Sequence, residues 1–425
     1  MSAALSRRQV LKAAALLAPA VMGRSAIARS RGQTAPQSGS LTPLDQGVLP
    51  RGIRARYVDG VNGIRMHVLE AGFDGDRRPG VLMVHGFPEL AYSWRKVMLP
   101  VAAAGYHVIA PDLRGYGRSG GTDVRFDDDL GPWATLNEVT DMVGLVSAFG
   151  YRSVAAVIGH DFGSPLAAWC AVVRPDVFRS VVMMSAPFGG APAVPFDTAR
   201  NSTPPPRPAA DTIYDELAKL TPPRKHYQRY YSTREASDNM RNAPQGLHAF
   251  MRAYYHMKSA DWKANQPHEL AARTAAEWAK LPRYYVMDLD KGMAETVAPE
   301  MPSAAEIAKC QWLPDEELRV YAAEYGRTGF QGGLQSYRVG STPRINASLQ
   351  VFSGRTIDQP SMFIAGRSDW GAYQNPGALE RMQKTACTHM TGVEFVDGAG
   401  HWVQQEQPER VASLFVEFLR RNAQA

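Results

Sequence analysis

The stretch VIGHDFGSPLAAW, Val157 to Trp169, decides the fold. An apolar run leads into Gly159-His160-Asp161-Phe162-Gly163, and small and apolar residues follow. This pattern is a strand, a sharp turn and a helix, with a glycine two places either side of the apex. It is the G-x-S-x-G frame of a nucleophile elbow, which presents its central side chain at the carboxyl edge of a sheet. The apex here is an aspartate, Asp161, and not a serine.

Outward from the elbow, short apolar runs recur: VLMVH (81–85), HVIAP (107–111), VAAVIG (154–159), SVVMMSAP (180–187), SMFIAG (361–366) and GVEFVDG (392–398). They are too short for helices and are separated by helix-length segments, which predicts a parallel sheet with right-handed crossovers. ARYVDGVNGIRMHVLEAG, with Gly60 to Gly63 between two alternating runs, predicts a hairpin ahead of them. A last helix is expected over 408–421 and another near 376–387. From about 189 the pattern breaks. Pro, Lys, Tyr and charged residues dominate until about 345, with helical segments such as DTIYDELAKL and DEELRVYAAEYGRTG. An inserted helical cap is expected there, between the sixth and seventh sheet strands. The domain reading is therefore 29–55 a flexible lead-in, 56–188 the first part of the core, 189–345 the cap and 346–425 the second part of the core.

The chain of 425 residues carries a formal charge of +6. Arg7, Arg8, Lys12 and Arg24 precede any acidic residue, and removing them takes +6 to +2. That balance gives no reason to expect nucleic acid or anionic lipid as partner. Ser6-Arg7-Arg8-Gln9-Val10-Leu11-Lys12, the run AAALLAPAVM (13–22) and Ala26-Ile27-Ala28 resemble a twin-arginine signal with an A-x-A cleavage site. Residues 1–28 are expected to be a signal peptide read by the twin-arginine translocation machinery, giving a periplasmic or secreted protein. The apolar run falls short of the ~20 residues of a membrane span, so no membrane anchor is expected. Cys170, Cys310 and Cys387 lack metal spacing and are expected to be buried free thiols.

With these motifs in this order, residues 55–425 resemble the α/β-hydrolase superfamily, and within it the epoxide hydrolases. The resemblance implies a mostly parallel eight-stranded sheet flanked by helices, with an inserted α-helical cap. It also makes sense of Asp161. A serine that attacks saturated carbon gives an ether, which water does not open. An aspartate gives an alkyl ester, whose carbonyl can be hydrolysed to restore the enzyme. With an ordinary pKa of about 3.9 it is already an anion at neutral pH. In the family, the loop of VLMVHGFPE (81–89) turns the amide of Phe87 toward the nucleophile, and the amide of Phe162 completes an oxyanion hole. His85 is expected to be structural. PDLRGYGRSGG (111–121) supports the fold.

VDGAGHWVQQEQPE places His401 in the family's G-x-x-H-W context, as the base that activates water. The orienting acid is expected at Asp369, after SMFIAG. Asp397, four residues before His401, reads instead as a strand end. His226 and His256 are expected at the surface. An epoxide oxygen leaves as an alkoxide and needs a donor, for which the family uses two cap tyrosines. RTGFQGGLQSYR (327–338) resembles G-F-x-G-x-L-x-x-Y-R and implies Tyr337. RKHYQRYYS (224–232) resembles the segment of the other and implies Tyr227, with Tyr230 and Tyr231 close by in a chain of 17 tyrosines. Phe162 follows the nucleophile where haloalkane dehalogenases usually have Trp and fluoroacetate dehalogenases Arg.

The function implied is hydrolysis of a small-molecule epoxide to a vicinal diol through an ester on Asp161, with no metal or organic cofactor. The alternatives are a haloalkane or haloacid dehalogenase with the same nucleophile, and a non-catalytic scaffold that binds a ligand under its cap. The segment 233–320 has no legible function beyond shaping the pocket or forming a homodimer contact. Export suggests detoxification of xenobiotic or extracytoplasmic epoxides.

Overall fold

A computed structural model describes residues 41–193 and 212–422. The twin-arginine segment, the lead-in up to residue 40 and part of the expected cap, 194–211, lie outside the described residues. Ten strands are described: β1 (Ile53–Val61), β2 (Ile64–Ala71), β3 (Gly80–Val84), β4 (His107–Pro111), β5 (Ala156–His160), β6 (Val181–Met184), β7 (Arg224–His226), β8 (Val286–Asp288), β9 (Ser361–Gly366) and β10 (Met390–Val396). Eight of them form one sheet in the order β1-β2-β4-β3-β5-β6-β9-β10. β1 and β2 are an antiparallel hairpin around Asn62-Gly63, β2 pairs antiparallel with β4, and every later pairing is parallel. This is the α/β-hydrolase fold.

The central strands β3, β5, β6 and β9 are buried along their whole length. A parallel strand covered by helices on both faces has no solvent side, so it reads as a continuous apolar run and not as an alternation. The cover includes α1 (Arg95–Ala103), α2 (Thr135–Ala148), α3 (Gly163–Val173) and, near the C-terminus, Pro408–Asn422. The last of these buries Val411, Leu414, Phe415, Phe418 and Leu419, a stripe at helical spacing, and packs on α1. Because β3, β5, β6, β9 and β10 run parallel, their outgoing loops gather at one edge. The strand order changes direction at β3, which lies between β4 and β5. A crevice at the carboxyl ends of the strands opens at such a switch point.

Between β6 and β9 the described residues contain short helices, among them α4 (Tyr227–Tyr231), α5 (Leu247–Lys258), α6 (Asp315–Thr328) and α7 (Gln331–Gly340). This region also holds a two-stranded antiparallel sheet, β7 with β8, which an all-helical reading had not anticipated. Three residues per strand are too few for an alternation to register. This cap is tied to the core by buried polar contacts. Tyr255 Oη donates to Pro88 O (2.9 Å) and Tyr325 Oη to Glu89 O (3.0 Å), Ser93 Oγ lies 2.8 Å from Tyr321 Oη, and Arg95 pairs with Glu317.

Three expectations are corrected. The lead-in set at 29–55 gives way to defined structure before residue 55: Leu49 is buried, Leu44 N–H donates to His67 Nε2 (3.2 Å) and β1 begins at Ile53. His226 is buried, stacked on Trp278 with ring centroids 4.5 Å apart, and burial holds its pKa down at about 3. His256 is half-buried. All three cysteines are free, with Cys170 and Cys387 buried and Cys310 half-buried.

Candidate active site

The elbow follows from the packing of β5 and α3. A Cβ on Gly159 would lie 1.9 Å from Gly163 O, and one on Gly163 would lie 2.2 Å from Val84 O. Only glycine lets strand, turn and helix approach this closely. Asp161, at the apex, has φ +52°, a left-handed conformation that side-chain-bearing residues rarely hold. The turn aims its carboxylate into the crevice, where the side chain is 13% exposed.

Around Asp161 the loops from the sheet edge converge. Phe87 N–H, after β3, donates to Asp161 Oδ1 (2.9 Å). His401 Nε2, after β10, lies 3.2 Å from Asp161 Oδ2, and the contact is out of line for a hydrogen bond. On the other side of the ring, Nδ1 lies 3.1 Å from Asp369 Oδ1, after β9. Asp369 Oδ1 also accepts from Gly371 N–H (2.7 Å). The His401 ring thus lies between two carboxylates, Asp161 on its Nε2 side and Asp369 on its Nδ1 side. Burial raises the Asp161 carboxyl, but His401, Lys258 and His160 outweigh it and hold the group far below the usual carboxylate range. Burial and Lys258 pull His401 down, while Asp369 and Asp161 lift it to a net value above an ordinary histidine.

Asp397 sits at the surface, 81% exposed and paired with Arg367, away from the imidazole. His85 is committed to the backbone: Nδ1 lies 2.8 Å from Gly86 O, and Nε2 accepts from Leu113 N–H (3.0 Å). Phe162 is the residue just before α3, and its ring meets Tyr337 edge-on with centroids 4.3 Å apart.

The cap brings both expected tyrosines over the elbow. Tyr337 on α7 and Tyr227 on α4 are buried, with ring centroids 6.0 Å apart. Burial raises both phenols well above 10, and the Asp161 charge adds to this. Tyr227 Oη accepts from Gln228 Nε2 (3.2 Å) and faces Gln374 Oε1 at 3.4 Å. Tyr231 lies beside Tyr337 but turns its hydroxyl to Tyr254 (3.4 Å), and the Tyr230 ring lies under Lys225. A cavity of about 410 Å³ reaches Phe162 and Tyr337, with Gln228 and Arg229 in its wall. A larger one, of about 950 Å³, runs along Tyr373 and Lys384 and touches none of the expected site residues.

Sequence reasoning missed several supporting residues. Ser185, after β6, places Oγ 2.9 Å from His401 Nδ1 and has φ +69°. His160 Nε2 donates to His401 O (2.7 Å), while its Nδ1 lies 2.5 Å from Glu89 Oε2. Glu89 in turn accepts from Gly86 N–H (3.1 Å) and Gln404 Nε2 (2.9 Å). This buried network joins the loops that carry Phe87, Asp161 and His401. Glu89 and His160 stood inside the two quoted motifs, which is the only signal the sequence offered. Among the described residues no group of three or more His, Cys, Asp or Glu is placed to hold a metal ion, and no helix is long and apolar enough to cross a membrane.

Residues 79–218 match the family model for the alpha/beta hydrolase fold. An epoxide hydrolase of Caballeronia sordidicola is 32% identical over 374 residues, which cover 86% of this chain and 93% of that one. The chain belongs to the epoxide hydrolase family. Epoxide hydrolase B of Mycobacterium tuberculosis is 29% identical, over 84% of this chain and 96% of that protein. Among solved structures, an epoxide hydrolase from an endophytic Streptomyces superposes with a TM-score of 0.68 at 28% identity, covering 87% of this chain and 96% of the other. Epoxide hydrolase A of Mycobacterium thermoresistibile gives 0.64 at 30% identity, over 87% and 98%. Family membership thus extends over core and cap together.

Proposed function

We infer that this chain hydrolyses epoxides to vicinal diols in two steps through an ester on Asp161. The single observation that carries the reading is the placement of a carboxylate at the elbow, with His401 behind it and two cap tyrosines above it. In the first step Asp161 Oδ attacks an epoxide carbon and the C–O bond of the ring breaks. The departing oxygen takes a proton from Tyr337 or Tyr227, leaving a tyrosinate. Both phenols stay protonated until needed, because burial raises their pKa.

In the second step His401 Nε2 takes a proton from water, and the hydroxide adds to the ester carbonyl. Asp369 holds the ring and stabilises the imidazolium. The amides of Phe87 and Phe162 face the developing oxyanion. Collapse expels the diol oxygen, which is protonated by His401, and the remaining proton of water returns to the tyrosine. The carboxylate of Asp161 is restored. The Phe162 side chain has no donor to cradle a halide, which favours this reading over dehalogenation.

We further propose that the twin-arginine segment exports the folded enzyme to the periplasm or beyond. What supports this is the Arg7-Arg8 pair, the apolar run and the Ala26-Ile27-Ala28 site in sequence. Fractionation of cells expressing the full chain and an Arg7→Lys/Arg8→Lys variant tests it. Export that survives in the double variant sinks the proposal.

The test of the chemistry is intact mass spectrometry of His401→Gln after exposure to an aryl epoxide and, separately, a haloalkane. The expected result is a stalled adduct with the whole mass of the epoxide, mapped to Asp161. An adduct from the haloalkane alone, lacking its halogen, would make the chain a dehalogenase. Tight binding without any adduct across a broad panel would favour a binding scaffold.

A further inference from the structure

Lys258, the last residue of α5, is only 3% exposed. Its Nζ sits among four aromatic rings, 5.2 Å from the centroid of Trp402, 5.5 Å from Tyr254, 5.7 Å from Tyr285 and 5.9 Å from Tyr284. No carboxylate of the described residues comes within 4.0 Å of it. A buried ammonium is costly without compensation, and aromatic faces supply part of it. The Asp161 carboxylate supplies more, since the Lys258 charge acts on it, and the same charge opposes protonation of His401.

The backbone fixes this relation. His401 N–H donates to Lys258 O (2.8 Å). Glu406 accepts from Ala260 N–H (2.8 Å), Gly400 N–H (2.9 Å) and Trp402 N–H (2.9 Å), stapling cap to catalytic loop. Gly400 permits the contact, because a Cβ there would lie 2.5 Å from Lys258 O.

We propose that Lys258 is a positioning residue for the second step: its fixed positive charge keeps His401 neutral once Asp161 has been esterified, so that the imidazole can accept a proton from water. The proposal rests on the roles given to Asp161 and His401 above. In the free enzyme, the charged groups facing His401 are Asp161 from the elbow, Asp369 after β9 and Lys258 from the cap. His160 on β5 is paired with Glu89, and Ser185 and Trp402 are neutral neighbours. Alkylation turns Asp161 into a neutral ester and removes one of the two anions that favour imidazolium. Asp369, together with the tyrosinate left by the first step, then favours imidazolium, and Lys258 opposes them. Without the ammonium, His401 would remain protonated, and useless as a base, to higher pH.

The test follows a single turnover of styrene oxide by the full chain as wild type, Lys258→Met and Lys258→Arg, from pH 5 to 9. Intact mass of quenched samples reports formation and decay of the ester separately. The expected result is that ester decay in Lys258→Met titrates about one unit higher, and is about tenfold slower at pH values below the wild-type limb. Lys258→Arg, which keeps the charge, should restore the wild-type limb. An unmoved limb in Lys258→Met, or one in Lys258→Arg that follows Met, overturns the proposal and leaves Lys258 a packing residue. If Lys258→Met does not fold, Lys258→Gln is read by the same criterion. Folded protein that never forms the ester, wild type and His401→Gln included, would overturn the two-step reading itself, a different failure from an unmoved pH limb.

Discussion

Replacing Tyr337 by Phe isolates the help given to the departing oxygen. Among the described residues no hydrogen bond to the Tyr337 hydroxyl is present, so its loss should leave the fold intact; the ring keeps its contacts with Phe162 at 4.3 Å, Tyr231 at 5.0 Å and Phe87 at 5.4 Å. What disappears is one donor to a developing alkoxide in a site shielded from water. A hydrogen bond to a charged oxygen in such a site contributes about 2–3 kcal/mol, or ~30- to 160-fold in rate. Tyr227 is already engaged with Gln228 at 3.2 Å and Gln374 at 3.4 Å and must give up the latter contact to donate. Tyr227→Phe should therefore cost less, about tenfold. The double variant should fall below either single one, because the alkoxide then has no donor. Rapid-quench mass spectrometry separates the phases: the loss should lie in ester formation, with ester decay unchanged. Alkylation within threefold of wild type, or a loss confined to decay, would refute the assignment of the tyrosines to the first step.

Three further outcomes follow from the geometry. Ser185→Ala removes the Oγ 2.9 Å from His401 Nδ1, and at about 1 kcal/mol should slow ester decay ~5-fold while leaving alkylation intact in the same assay. Glu317→Ala leaves Arg95, 1% exposed, without its carboxylate; Tyr92 O at 3.0 Å and Gln405 Oε1 at 2.9 Å still hold it, so unfolding in urea should show a loss of about 2–3 kcal/mol, less than for a fully orphaned buried ion. Burial lifts the half-buried Glu138 to about 8, with Asp141 adding and the Ser336 hydroxyl (3.3 Å) opposing. Between its ordinary pKa and about 8 the folded chain holds a proton that the unfolded chain has released, so stability falls as pH rises through that window; the drop in Tm from pH 5 to 8.5 should be smaller in Glu138→Gln than in wild type.

The core was legible because its signals are local. Each buried parallel strand is a short apolar run, and the elbow needs glycines at fixed offsets, both readable within a dozen residues. SMFIAG is β9 to the residue, and the expected final helix differs from the observed one by a single residue. Asp161, Asp369 and His401 were each read from a motif that follows a strand, and the structure brings the three together at one edge of the sheet. Ser185 occupies an equivalent place after β6 but announces itself only through a backbone angle. Lys258 was illegible for a different reason. In sequence it ends a run, AYYHMK, that reads as an amphipathic helix with a basic end. Its meaning depends on Tyr284, Tyr285 and Trp402, which come from segments far along the chain. His226 failed in the same way, since nothing near it in sequence reveals that Trp278 covers it.

The chemistry divides along the seam between core and cap. The core edge supplies Phe87, Asp161, Ser185, Asp369 and His401, a set suited to forming an ester and hydrolysing it. None of these groups is placed to protonate an alkoxide that leaves on the far side of the attacked carbon. The donors that can do so, Tyr227 and Tyr337, both come from the cap. An aspartate at the elbow thus selects a saturated carbon electrophile, and the cap selects what may leave from it. A halide needs only donors to cradle it, whereas an epoxide oxygen also needs a proton, and two buried phenols can supply both. The ties between Arg95 and Glu317, Tyr255 and Pro88, and Lys258 and His401 join cap to core, and so hold Tyr227 and Tyr337 in register with Asp161 and His401.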